Sequence, residues 1–75
     1  MVIKEVELLF QADALDIPAI KQNDQGSGWT VTLSGTHKLN SMFETARGQV
    51  RVFKRLDAAV GVLFEIGFEE IKIIR

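Results

Sequence analysis

Residues 41–68, SMFETARGQVRVFKRLDAAVGVLFEIGF, constrain this chain more than any other stretch. Leu56, Ala59, Val60, Leu63 and Phe64 recur at i, i+3, i+4, i+7 and i+8, the spacing of a helix with one buried stripe. Asp57 in the first turn suits the positive end of the helix dipole. Gly67 is a natural left-handed cap, and Phe68 follows it in position for the hydrophobic contact such caps make. These signals predict a helix over about residues 56–66. Gly61 weakens its middle by up to about 1 kcal/mol relative to Ala, which a close helix–sheet contact would explain.

Two strands are expected just before it, residues 42–46 and 49–53, joined at Arg47-Gly48. Glycine at the second central position tolerates the positive φ of a tight hairpin. Arginine at the first is a poor fit, so a longer or bulged loop is the alternative. On the outgoing strand Val50 and Val52 share the face expected to hold the fold. Gln49, Arg51 and Phe53 share the other, which puts an arginine beside an aromatic on the outside. Lys54-Arg55 forms the corner into the helix.

The rest of the chain supplies the sheet. Residues 2–10 partly alternate, and the pattern favours a strand, with Val2, Val6, Leu8 and Phe10 on one face. A helix with Val6, Leu9 and Phe10 on one side competes with it. Asp13 and Asp16 suit the cap of a helical turn. Pro18 removes an amide donor and holds Ile17 extended, so a short edge strand is expected at residues 17–21. Residues 22–28 are a polar, glycine-containing loop. Trp29, Val31 and Leu33 alternate with Thr30 and Thr32 in the cleanest strand, its apolar side towards the core. An exposed Trp29 would instead stack on a base or anchor a partner. Residues 34–40 form a loop holding the single histidine, His37. Residues 70–74 read as a last strand, returned by a right-handed connection to lie parallel to a hairpin strand. The expected fold class is α+β: a mainly antiparallel sheet of four to five strands with one helix on one face, ending in the order β-β-α-β. The 75 residues make one domain.

Composition narrows the function. The chain is 47% hydrophobic and 25% charged, which is globular composition. It contains no cysteine, which for so small a domain points to a reducing cytosol and to pairing with a second copy for stability. No run of about 18 apolar residues exists, so no membrane span is expected, and the charged N-terminal stretch does not fit a signal peptide. The net charge of −1 is unevenly spread. Residues 1–36 set two lysines against five carboxylates, net −3. Residues 37–55 set five cations against Glu44 alone, net +4, and residues 56–75 are net −2.

The chemistry expected is largely negative. One histidine without cysteine cannot build a zinc site, and two aspartates at 13 and 16 are too few for calcium. The Gly-x-Gly at residues 26–28 lacks the ending of a phosphate loop. No serine has a base at defined spacing. The expectation is a non-enzyme without cofactor or metal.

The pattern Thr45-Ala46-Arg47-Gly48, Arg51, Phe53, Leu56-Asp57-Ala58-Ala59, Leu63, Gly67 resembles a segment of small proteins of bacterial plasmids and other mobile elements, some of them partition-associated. The rhythm from Trp29 through the basic hairpin and Phe53 to the helix is also similar to the arm-type DNA-binding domains of phage-style tyrosine integrases. The resemblance implies an accessory protein of a mobile element. The charge pattern nominates Lys38, Arg47, Arg51, Lys54 and Arg55 as a nucleic-acid contact set. So few cations make a small footprint for a monomer, so a homodimer is expected with this reading. The alternative is a protein-interaction module that uses segregated charge and open strand edges.

Overall fold

Residues 3–11 are helical where the alternation favours a strand: in the computed structural model, which describes residues 1–23 and 26–74, helix α1 spans Ile3–Gln11. Two local features favour the helix. The Glu5 carboxylate accepts the Val2 amide proton at 3.0 Å, closing the first turn. Val6, Leu9 and Phe10 then form one stripe, with Val6 fully buried and Leu8 on the opposite side at 68% exposed. The Ala14 amide bonds the Leu9 carbonyl and the Asp13 amide bonds the Phe10 carbonyl, both at 3.0 Å. These are the paired bonds of a Schellman end, with Asp13 at φ 58° where glycine usually stands. Asp13 therefore follows the end of a helix and does not cap the start of one.

Strand β1 is Ala19–Gln22, β2 is Trp29–Ser34 and β3 is Asn40–Met42, with a 3-10 turn at Thr36–Lys38 between the last two. Helix α2 spans Leu56–Ile66 and strand β4 spans Lys72–Ile74. The architecture is α+β, a four-stranded mixed sheet in the order β3-β2-β1-β4 with two helices. The β1–β2 and β2–β3 pairs are antiparallel and β1–β4 is parallel. The expected edge strand near Pro18 is thus central. Pro18 tolerates this because it lies one residue before β1 and contributes its carbonyl, which accepts the Lys72 amide at 2.9 Å. The last strand pairs with β1 and not with a hairpin strand.

Ile20, Val31 and Leu33 are buried on the face that meets Val6 of α1 and Ala59 and Leu63 of α2. Phe43, Phe53 and Phe68 complete this core. Among the described residues, no helix covers the other face of the sheet. It presents Lys21, Thr30, Thr32, Met42, Lys72 and Ile74 by alternation from the buried positions.

The hairpin takes the longer, bulged form of its turn, and its outgoing arm differs from expectation in two ways. The turn centres on Ala46-Arg47: the Gly48 amide bonds the Thr45 carbonyl at 2.9 Å, and Gly48 follows at φ 85°. An ordinary turn followed by a left-handed glycine avoids placing arginine at positive φ. The outgoing arm is not a regular strand. It makes one bridge, Glu44 to Val50, and a second from Phe53 to Trp29. Its inner and outer faces are also exchanged. Phe53 is 5% exposed and meets Phe43 edge-on at 6.2 Å, while Val50 and Val52 are exposed beside Thr30 and Thr32 on the open face. An aromatic ring buries more apolar area than a valine, so Phe53 takes the core. Trp29 is half-buried against the same core. Asp24, Gln25 and Arg75 lie outside the described residues.

Candidate nucleic-acid interface

The two helices run in the same direction, and this organises the charge. The carbonyl of Met1, next to the first turn of α1, accepts the Glu44 amide at 2.8 Å, so α1 starts beside the hairpin. Helix α2 starts three residues after Phe53, which exchanges amide and carbonyl bonds of 2.7 and 2.8 Å with Trp29. At the far ends Phe10 and Phe68 meet edge-on at 4.8 Å. Both helix N-termini, the positive ends of their dipoles, therefore face the hairpin end of the molecule.

Four of the five nominated cations gather at that end. Arg47 occupies the hairpin turn, Arg51 the outgoing arm, and Lys54 and Arg55 the corner into α2, and all four are exposed. The Arg51 guanidinium lies 4.6 Å from the centroid of the Phe53 ring, so a buried aromatic holds it in place. Arg55 is tied to Asp57 by two bonds, Nε to Oδ1 at 3.1 Å and Nη2 to Oδ2 at 3.3 Å. Both partners are largely exposed, so this pair is weak and yields readily to a stronger anion. Among the described residues, Arg47, Arg51 and Lys54 form no ion pair. Glu44, the one carboxylate within the basic stretch, is engaged by the Met1 amino group.

Lys38 stands apart from this group. It follows the far end of β2, whose six residues span about 17 Å, and it holds φ 60° beside His37 at φ 57°. The folded chain adds cations that the linear charge count assigned to an acidic third. Lys4, on the first turn of α1, lines the same ≈ 330 Å³ cleft as Arg51. Lys21 reaches the open face beside Val50 and Val52. Among the described residues the observed strands hold no carboxylate, and Lys21 and Lys72 are their only charges; the strands expected from the sequence included Glu5, Glu7, Glu44 and Glu70, so this was not legible there.

The opposite end is acidic. Asp13, Asp16, Glu69 and Glu70 ring a cleft of ≈ 290 Å³ with Phe10 and Phe68 in its wall. Among the described residues no group of three or more His, Asp or Glu is placed to hold a metal ion, and no helix is long and apolar enough to cross a membrane.

No family model, no curated protein and no solved structure matches this chain.

Proposed function

We propose that this is a small non-enzymatic accessory protein of a bacterial mobile element, acting in the cytoplasm, that binds DNA through its basic hairpin end. The observation that carries this reading is the convergence of Arg47, Arg51, Lys54 and Arg55 at the end of the sheet where both helix N-termini also point. Cations and helix N-termini together attract phosphate without base contacts, so the binding is salt-dependent and largely independent of sequence. Lys4 and Lys21 extend the footprint, and a homodimer doubles it.

Fluorescence anisotropy with duplex and single-stranded oligonucleotides at low salt tests this. The expected outcome is binding to DNA that weakens steeply as salt rises. The double substitution Arg47→Ala with Arg51→Ala lowers the log–log salt slope by about two. Binding to neither form of DNA at low salt, or a double variant that binds as the parent does, overturns the reading.

The acidic cleft favours a second reading, a protein-interaction module whose partner is cationic. Carboxylates around an apolar wall suit a basic protein surface and repel phosphate. Co-purification from the host separates the two: one stoichiometric basic protein in place of nucleic acid supports the module.

A further inference from the structure

Strand β4 is an edge strand, paired with β1 on one side and with no other strand of the sheet on the other. The Lys72 amide bonds the Pro18 carbonyl at 2.9 Å, so the backbone groups of Lys72 face β1. The trans peptide before Lys72 then turns the Ile71 carbonyl towards solvent, and alternation along β4 does the same for the amide and carbonyl of Ile73. Natural edges are blunted by shortness, by charged side chains such as lysine, by proline or by a bulge, and β4 has the first two, being three residues long with Lys72 among them. Here residues 70–74 contain no proline, and the apolar residues of the strand stand open, Ile73 at 46% and Ile74 at 38% exposed. Ile73 aligns with Ile20, which is fully buried one strand further in. Ile73 lacks cover on the side where a further strand would lie.

We propose that two copies pair antiparallel along this edge about a two-fold axis through Ile71, with Glu70 of each copy opposite Lys72 of the other. Three registers satisfy the outward-facing backbone groups. Ile71 opposite Ile73 sets Lys72 against Lys72 and is repulsive. Ile73 opposite itself leaves Glu70 without a partner. Ile71 opposite itself forms two reciprocal Glu70–Lys72 pairs from side chains that are both exposed, and sets Ile73 diagonal to Ile71 of the other copy. The strand pairing makes one continuous eight-stranded sheet with a basic hairpin at each outer end. The interface is short, so association is weak and salt-sensitive. It stands independently of the DNA reading, and either holds if the other fails.

Sedimentation equilibrium at low salt tests it. The parent chain forms a dimer, Glu70→Lys or Lys72→Glu alone raises the dimer dissociation constant on the order of tenfold or more, and both swaps together restore it. Far-UV circular dichroism checks that each variant is folded. A second test uses the absence of native cysteine. Glu70→Cys and Lys72→Cys chains cross-link when mixed, because the two positions oppose each other at about 4.5 Å between Cα atoms, within disulfide range. Neither cross-links alone. A chain that stays monomeric at millimolar concentration, a dimer indifferent to the swaps, or Lys72→Cys cross-linking to itself overturns the proposal.

Discussion

Two glycines six residues apart, at positions 61 and 67, answer to opposite physics. Gly67 closes α2 at φ 127°, and a Cβ built there would lie 2.6 Å from Phe10 Cε2. Its Ala variant meets both backbone strain and the ring that joins the ends of the two helices. Gly67→Ala is expected to cost about 1–3 kcal/mol. Gly61 is exposed in the helix interior, and no atom lies within 4 Å of its would-be Cβ. The close approach to the sheet expected there is absent, and only its low helix propensity is left. Gly61→Ala is expected to stabilise by up to about 1 kcal/mol. Urea denaturation of both variants checks the pair, and equal signs would show that the two sites are not distinguished as described. Arg51 shows a residue-scale effect of another kind. Its place beside Phe53 was legible from i, i+2 alternation. Which of the two is buried was not, because alternation gives the faces of a strand and not their direction.

At the scale of elements, α1 is the instructive case. Val6 and Leu8 share a face in a strand and oppose each other on a helix. Over a nine-residue run the two periodicities overlap, so the sequence alone left both readings open. The structure separates them, with Val6 at 0% and Leu8 at 68% exposed. Val6→Ala is accordingly expected to cost about 1.5–3 kcal/mol, and Leu8→Ala to stay within about 0.5 kcal/mol of the parent. Thermal unfolding of the two variants measures it, and comparable losses would restore the strand. Elements with stronger local signals were legible. The extent and glycine cap of α2 and the alternation of β2 appear where their patterns place them. The stripe of α2 holds at Ala59 and Leu63 but not at Phe64, which is 55% exposed, and the final strand is shorter than its pattern, Lys72–Ile74. The outgoing hairpin arm did not become a regular strand. It has to cross from Glu44 to Trp29 and carry Phe53 into the core on the way.

At the scale of the molecule, much of the charge runs against the helix dipoles. Neither helix has a basic residue in its last turn. Glu65 lies in the last turn of α2, Glu69 and Glu70 follow it, and Asp13 follows α1, while four cations crowd the other end. Negative charge at a helix C-terminus costs stability, so this segregation is better suited to partners than to folding. Glu65→Lys is expected to stabilise by about 0.3–1 kcal/mol at low ionic strength, with the gain shrinking at high salt. Denaturation at two salt concentrations measures it, and a gain that does not change with salt would rule out the dipole as its source.

The sequence by itself determined the α+β class, the extent of α2 and its cap, the central β2 strand and the basic tint of residues 37–55. These rest on local periodicity and on the conformations that glycine and proline allow, and both act within a few residues. Only the tertiary structure decided that the N-terminal run is a helix, that β1 is central, that Phe53 is core and that Lys38 stands apart from the arginines. It also decided that Lys4 shares a cleft with Arg51 and that β4 is left with an open edge. Each depends on which surfaces far apart in the chain are buried together, and burial of Val6, Ile20 and Phe53 in one core outweighs the local pattern around each of them.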